Sequence, residues 1–177
     1  MKLVIGLGNP GNKYEKTRHN LGFLAIDELR RNLKFGIWNL DKKFKSLISK
    51  KSFNNQKVIL VKPQTHMNNS GEAVKLMLDY YKINLGNLFI VHDDIDLPLG
   101  KILVQEERGS AGHNGVQSVI DALKTKDFTR IRMGIKPKNS REKLDTEKFV
   151  LERFSGEEEK IIQETIKKAG QIIMAAI

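Results

Sequence analysis

The sequence predicts an α/β protein, a three-layer α/β/α sandwich whose mixed, mostly parallel central sheet lies between two layers of helices. Short apolar runs typical of buried strands alternate along the chain with segments of helical periodicity, which favours this class. The 177 residues are enough for one hydrophobic core. There is no internal repeat and no interdomain linker, so residues 1–177 are expected to form a single domain.

The first third of the chain predicts a strand, a helix and a β-hairpin. Residues 2–8 are rich in Val, Ile and Leu and end in glycines, as a strand does, and residues 21–31 carry apolar side chains at helical spacing. Two further strands, over 43–53 and 57–61, flank a turn at 54–55. Because the strands of a hairpin run antiparallel, this pair makes the sheet mixed.

The rest of the chain continues the alternation. The run over 88–91 is apolar throughout and predicts a buried, central strand that ends at His92. The polar segment 137–145 is predicted to be a mobile surface loop. The other predicted elements are a helix opened by residues 68–72, an edge strand over 101–106, a helix from the segment 109–115 to about 123, a strand over 128–135 and a final helix from the capping box 155–158.

Composition excludes several functional classes. The chain has no cysteine, which excludes disulfides, thiolate metal sites and a cysteine nucleophile. No apolar run approaches the roughly 20 residues that span a bilayer. We therefore expect no membrane partner and a cytoplasmic location.

The net charge of +10 points to an anionic partner, and most of it lies in the first third of the chain. Residues 1–60 contain 13 Lys and Arg against 4 Asp and Glu, whereas residues 61–140 contain 11 against 9 and residues 141–177 contain 7 against 8. A polyanion such as nucleic acid is the favoured partner. A basic protein without such a partner is the simpler alternative.

Four polar clusters are expected at one edge of the sheet, because ligands of α/β proteins bind beyond the carboxyl ends of the strands. They cover residues 9–20, 64–70, 92–96 and 109–115. The first follows the opening strand, and that connection is about twice as long as the usual two to six residues. Function, rather than folding alone, is the expected reason for its length.

The glycines of this connection, Gly6-Leu7-Gly8-Asn9-Pro10-Gly11, fit the spacing of a dinucleotide fingerprint. Pro10 lacks the backbone N–H that would hold a pyrophosphate, and the helix begins too late along the chain. A nucleotide site is therefore disfavoured.

His19 and Asp93 are the candidate catalytic pair. His19 stands just before the first helix, and Asp93 follows the apolar strand that should deliver its carboxylate to the same edge. An imidazole held by a carboxylate can take a proton from water near pH 7. No serine lies in a nucleophile elbow, so water is the favoured nucleophile. A histidine that only caps the helix is the structural alternative.

Two further interpretations concern the same clusters. Residues 92–96 offer one imidazole and three carboxylates to a metal, but neighbouring side chains of a strand point to opposite faces, so a metal site is disfavoured. Asn9, Asn68 and Asn114 lie in converging connections, where carboxamides suit a substrate with amide and ester groups. Caps and turns are the alternative use of these asparagines.

Six motifs follow one another over residues 3 to about 154. They are Gly6-Leu7-Gly8-Asn9-Pro10-Gly11, Tyr14 with Thr17-Arg18-His19-Asn20, Pro63-Gln64-Thr65-His66-Met67-Asn68, His92-Asp93-Asp94-Ile95-Asp96-Leu97-Pro98, Gly112-His113-Asn114-Gly115 and Arg130-Ile131-Arg132-Met133-Gly134-Ile135. This ordered set resembles bacterial peptidyl-tRNA hydrolase. Each motif alone is weak, but the set is specific.

The resemblance implies hydrolysis of the ester that joins a peptide to the 3′ end of tRNA, with peptidyl-tRNA as the partner, no metal or other cofactor, and a monomer. It implies that His19 is the general base that activates water, that Asp93 holds and polarises it, and that Asn9 contacts the peptide and separates blocked from free aminoacyl-tRNA. The other residues implied to contact peptide, ester or tRNA are Tyr14, His66, Met67, Asn68, Asn114 and Arg132.

Three positions depart from the family pattern. His66 stands where phenylalanine is common, and one glycine rather than two precedes His113. Gln105 stands where many members have a lysine that helps to grip the tRNA 5′ phosphate together with Arg132; Lys101 or Arg108 is the candidate replacement. The main alternative function is an RNA-binding protein of this fold without activity. A nucleotide-binding protein and a zinc peptidase are more remote.

Overall fold

The computed structural model describes residues 1–137 and 145–177. Its strands are β1 (Lys2–Gly6), β2 (Asn39–Asp41), β3 (Ser46–Phe53), β4 (Gln56–Pro63), β5 (Leu88–Pro98), β6 (Ile102–Gln105) and β7 (Thr129–Lys136). Its helices are α1 (Leu21–Asn32), α2 (Ser70–Tyr81), α3 (Asn114–Leu123), α4 (Thr146–Val150) and α5 (Gly156–Ala176). Most of the segment predicted to be a mobile loop, residues 138–144, lies outside the described residues.

The strands form one sheet in the order β2-β3-β4-β1-β5-β7-β6. The four central strands, β4, β1, β5 and β7, are mutually parallel, and the antiparallel strands β3 and β6 border them on either side. The mixed, mostly parallel sheet is therefore confirmed, as is the hairpin, because β3 and β4 pair antiparallel around a turn between Phe53 and Gln56. The carboxyl ends of the central strands consequently meet at one edge.

Helices cover both faces of the sheet, as a three-layer sandwich requires. On one face α1, α4 and α5 share a core with Val4 and Val91 of the central strands. On the other face α2 and α3 share a core with Ile5 and Ile90. Successive residues of a strand point to opposite faces, so a strand buried on both faces is apolar throughout.

Strand β5 is longer than predicted, which corrects the sequence analysis. The predicted strand ended at His92, but backbone pairing with β7 continues through Asp94 and the strand extends to Pro98. Asp93 and Asp94 are tolerated in the interior because both bond to other side chains. Strand β2 and helix α4 were not predicted, because three and five residues are too few for a periodic pattern.

The final helix begins as predicted. The Ser155 side chain accepts a hydrogen bond from the Glu158 N–H, and the Glu158 carboxylate accepts one from the Ser155 N–H at 2.7 Å. This capping box satisfies two of the N–H groups that a helix start leaves unpaired. No helix in the described part of the chain is long and apolar enough to cross a membrane.

Two glycines allow α1 to lie directly on the carboxyl ends of β1 and β5. A Cβ atom on Gly6 would lie 2.4 Å from the carbonyl oxygen of Gly22, and one on Gly22 would lie 2.3 Å from the carbonyl oxygen of Val91. These are backbone atoms that cannot rotate away, so both positions require glycine. The contact fixes the start of α1, and with it His19, at the edge where the polar clusters meet.

We expect Gly22→Ala to lower the free energy of unfolding by about 3 kcal/mol or more, because overpacking costs about 1–3 kcal/mol even where side chains can adjust. Gly170→Ala in α5 is the matched control. A Cβ there meets nothing within 4 Å, so helix propensity favours a gain of up to about 1 kcal/mol. Urea unfolding measures both. Wild-type stability in Gly22→Ala would contradict the close approach of α1 to the sheet.

Candidate active site

The long first connection folds back on itself, and Asn20 closes it. The Asn20 Oδ1 accepts a hydrogen bond from the Asn9 N–H at 2.8 Å, and the Asn20 Nδ2 donates to the Asn9 carbonyl at 2.9 Å. Asn20 is 2% exposed, so both bonds are shielded from water. This Asn9–Asn20 clasp holds two distant parts of the connection together and gives its extra length a structural purpose.

His19 lies in a single 3₁₀ turn, Arg18–Asn20, directly before α1. Its Nδ1 is 3.0 Å from each carboxylate oxygen of Asp93. A neutral ring in this position carries its proton on Nδ1, so Nε2 keeps a lone pair. The contact between His19 and Asp93 expected from the sequence is confirmed, and the unprotonated Nε2 is what a general base needs.

A second imidazole, which the sequence analysis did not single out, binds the same carboxylate. The Nε2 of His113 lies 3.0 Å from Asp93 Oδ1, and its Nδ1 accepts from the backbone N–H groups of Gly115 and Val116 at 3.1 and 3.2 Å. An Nδ1 that accepts hydrogen bonds carries no proton, so the ring proton lies on Nε2 and points at Asp93. Asp93 therefore receives an N–H from each of two histidines.

Burial and pairing act in opposite directions on these groups. Burial lowers the pKa of His19, but the charge of Asp93 and the hydrogen bond to it outweigh burial, so the pKa of His19 is raised above its ordinary value. Burial raises the pKa of Asp93, but the two imidazoles outweigh it and hold this pKa well below its usual range. Asp93 is therefore an anion that stabilises the protonated form of His19.

His19 faces a cavity of about 430 Å³. Strand β5 contributes Asp93 to its wall, the start of α3 contributes His113 and Asn114, and α4 contributes Thr146 and Val150. The cavity thus lies beyond the carboxyl ends of the parallel strands, where ligands of α/β proteins bind. Three carboxylates besides Asp93 also line it: Asp94, Asp96 and Glu147.

A metal fits this donor set poorly. His19, Asp93 and His113 offer ligand atoms within 4.8 Å of one another. A neutral imidazole binds a metal through an unprotonated nitrogen, whereas the Nε2 of His113 carries the ring proton. His92, from the metal alternative of the sequence analysis, is 1% exposed, and its Nδ1 lies 2.6 Å from the Asp93 carbonyl oxygen.

Asn9 and Met67 connect the first two polar clusters. The Oδ1 of Asn9 accepts from the Met67 N–H at 2.9 Å, and among the described residues its Nδ2 has no hydrogen-bond partner. Asn9 therefore presents a donor. Met67 is buried, while His66 and Asn68 on either side are exposed and Tyr14 is half-buried. Within the described chain, His66, Asn68 and Tyr14 have no hydrogen bond to His19 or Asp93.

Arg132 is buried rather than at a free surface, and it contacts Asp94 of the cavity wall. It is 2% exposed, its Nε donates to Asp94 Oδ2 at 2.7 Å, and its Nη1 donates to Gln105 Oε1 at 2.6 Å. Gln105, one of the departures from the family pattern, thus holds one end of this guanidinium. Lys101 and Arg108, the candidate replacements, are both exposed.

Comparisons with known proteins agree on one family. A family model described as peptidyl-tRNA hydrolase matches residues 3–177. The peptidyl-tRNA hydrolase of Bacillus cytotoxicus is 48% identical over 96% of this chain and 89% of its own length. That of Oceanobacillus iheyensis is 45% identical over 100% of this chain and 92% of its own.

Solved structures show the same likeness. The crystal structure of peptidyl-tRNA hydrolase from Acinetobacter baumannii matches with a TM-score of 0.89 and 30% identity, over 97% of this chain and 85% of that one. A complex of peptidyl-tRNA hydrolase with N-propanol matches with a TM-score of 0.91 and 30% identity, over 99% and 88% of the two chains. The similarity therefore extends over the whole fold.

Asp93→Asn tests the cause of the raised pKa of His19. The carboxamide keeps the shape of the side chain but removes its charge, so we expect the pKa of His19 to fall below its wild-type value. NMR titration of the His19 ring measures this. Asp121→Asn removes an exposed carboxylate on α3 and should leave the titration unchanged. An unaltered His19 pKa in Asp93→Asn would mean that Asp93 does not set the basicity of this ring.

Proposed function

The chain belongs to the peptidyl-tRNA hydrolase family, and we infer that it catalyses the family reaction, hydrolysis of the ester between a peptide and tRNA. The observation that carries this inference is the pairing of His19 with Asp93 at the wall of the cavity. This pair leaves an unprotonated Nε2 available to water. It does not favour the alternative of an RNA-binding protein without activity, which has no need of a base.

We propose that His19 is the general base. Its Nε2 takes a proton from a water molecule, whose oxygen attacks the carbonyl carbon of the ester. The bond from that carbon to the 3′ oxygen of the tRNA breaks, and the protonated His19 returns the proton to this oxygen. Asp93 keeps the Nδ1 proton in place throughout and stabilises the positive ring that forms between the two proton transfers.

Asn9 is proposed to distinguish blocked from free aminoacyl-tRNA. Its Oδ1 is occupied by the Met67 N–H, so only its Nδ2 can meet a substrate, and it meets it as a donor. A peptide presents a carbonyl oxygen that accepts this bond. An unblocked aminoacyl-tRNA presents an ammonium group instead, which cannot accept it and leaves the donor unpaired.

The remaining contacts are proposed from the family pattern and from position. Asn114 lines the cavity at the start of α3 and is suited to hold the ester and the attacking water. Asn68 is proposed to hold the peptide backbone, and Tyr14, His66 and Met67 are proposed to contact the peptide or the tRNA. Arg132 is proposed to meet a tRNA phosphate; its Nε and Nη1 already donate to Asp94 and Gln105. Lys101 and Arg108 are exposed and are candidates to assist it.

We further propose that the protein acts without a metal, as a monomer, in the cytoplasm. The proton on His113 Nε2 supports action without a metal. It leaves only His19 and Asp93 of the three side chains that could together bind a metal ion. The monomer and the compartment rest on the family resemblance. The basic first third of the chain supports tRNA as the partner.

The reaction is tested by incubating the purified protein, in the presence of EDTA, with N-acetyl-aminoacyl-tRNA and with unblocked aminoacyl-tRNA. We expect release of tRNA from the first and little from the second. His19→Ala should lower turnover of the first by roughly 10²–10⁴, the contribution of a general base, while binding of tRNA persists.

Three outcomes would count against the proposal. Turnover by His19→Ala within a few fold of the wild type would exclude His19 as the base. Equal turnover of both substrates would exclude Asn9 and its neighbours as a filter for blocked peptides. Loss of activity in EDTA that zinc restores would establish a metal enzyme.

A further inference from the structure

The residue before His19 is a buried arginine that reaches the C-terminal part of the chain. Arg18 is 5% exposed. Its guanidinium carbon lies 4.2 Å from the ring centroid of Phe149 in α4 and 5.2 Å from that of Phe154, just before α5. Cations bind the faces of aromatic rings at such distances. The turn that carries His19 is therefore fastened to α4 and α5 as well as to the sheet.

Hydrogen bonds define this attachment further. The Nη1 of Arg18 donates to the Arg153 carbonyl at 2.8 Å, and its Nη2 donates to Glu158 Oε2 at 2.7 Å. The same Glu158 oxygen accepts the Ser155 N–H of the capping box of α5. The Arg18 backbone N–H also donates to the Glu152 carbonyl at 3.0 Å. The three bonds made by Arg18 join the turn of His19 to the segment before α5 and to the first turn of α5.

An arginine is not what packing alone would place here. Burying a cation is unfavourable unless it is paired, and apolar residues of similar volume often stabilise such a site as well or better. In the described chain, the buried Nε of Arg18 has no hydrogen-bond partner. The buried guanidinium thus leaves one N–H unpaired, while its other N–H groups donate in fixed directions. A guanidinium holds several N–H groups in fixed directions, which an apolar side chain cannot do.

His19 is held from both sides. Asn20, the residue after it, forms the Asn9–Asn20 clasp, and Arg18, the residue before it, binds the C-terminal segment. Two fixed neighbours restrict the backbone of the turn between them. Between these two attachments, the Nδ1 of His19 lies at hydrogen-bonding distance from both oxygens of Asp93.

We propose that Arg18 is a positioning residue for the proposed reaction: it anchors the turn of His19 to α4 and α5 so that the imidazole keeps its alignment with Asp93. This proposal rests on the proposed function, because it assumes that His19 is the base. It gives the C-terminal segment a role in catalysis that does not require contact with the ester. Arg18 itself touches neither substrate nor water in this role.

The test compares Arg18→Met with Arg31→Met, using N-acetyl-aminoacyl-tRNA as substrate. Arg31 forms an exposed ion pair with Glu28 on α1, so its loss removes the same charge without touching the turn. We expect kcat of Arg18→Met to fall about 10- to 100-fold, as misplacement of a catalytic group does, with KM changed by less than about two-fold. Arg31→Met should match the wild type, and Arg18→Lys should recover part of the loss.

The pH profile separates positioning from mere loss of stability. Asp93 is hydrogen-bonded to the ring of His19, the His113 ring centroid lies 4.7 Å from that of His19, and Asp94, Asp96 and Glu147 line the same cavity. A ring that loses Asp93 but stays buried is harder to protonate, so the acidic limb of kcat/KM should move to lower pH in Arg18→Met. A lower unfolding temperature alone does not move this limb.

An Arg18→Met enzyme with wild-type kcat and an unmoved acidic limb would overturn the proposal, whatever its stability. If Arg18→Met does not fold, Glu158→Gln decides, since the carboxamide can still accept the Ser155 N–H while losing the charge opposite Arg18. We expect it to lower kcat and move the limb in the same direction, and no change in either would overturn the proposal. Failure of the proposed function would give a different result from failure of the positioning proposal, because the wild type itself would then release no tRNA.

Discussion

A single buried carboxylate, shared by two imidazoles, is the interaction on which the site depends. Asp93 is 1% exposed and lies within the central strand β5, where an unpaired negative charge would be strongly unfavourable. One N–H from His19 and one from His113 compensate for the lost hydration. The carboxylate also fixes the ring proton of His19 on Nδ1 and that of His113 on Nε2. His19 is thereby left with an unprotonated Nε2 at the wall of the cavity.

Three separate parts of the fold are needed to build this arrangement. The central strand β5 brings Asp93 into the interior, and the N–H groups at the start of α3 fix the tautomer of His113. The first connection brings His19, whose neighbours Asn20 and Arg18 bind Asn9 and the C-terminal segment. Each of these parts also has a role in the fold, so altering any one of them is expected to disturb both the fold and the active site. The unusual length of the first connection follows from these two attachments.

The sequence predicted what depends on local pattern and missed what depends on partners distant in the chain. Periodicity located α1, and the spacing of Ser155 and Glu158 located the start of α5, because these signals lie within a few residues of each other. The expected convergence of His19 and Asp93 followed from the rule that parallel strands end at one edge.

The extension of β5 could not be predicted, because its polar residues are acceptable inside only when Arg132 and His113, far along the chain, pair with them. His113 caps α3 with its Nδ1, but histidine is not among the residues that usually cap helices, so neither this cap nor its bond to Asp93 had a local signal. The second role of Glu158, as the partner of Arg18, likewise depends on a contact between the two ends of the chain.

The central claim concerns two protons, and it can be measured directly. Nitrogen-15 NMR of the histidine rings, recorded on the wild-type protein at a pH above the pKa of His19, distinguishes protonated from unprotonated ring nitrogens. The account expects His19 to carry its proton on Nδ1 with Nε2 free, and His113 to carry its proton on Nε2 with Nδ1 free. A neutral His19 protonated on Nε2, or a His113 protonated on Nδ1, would contradict it, because the base would have no lone pair for water or Asp93 would lose its second donor.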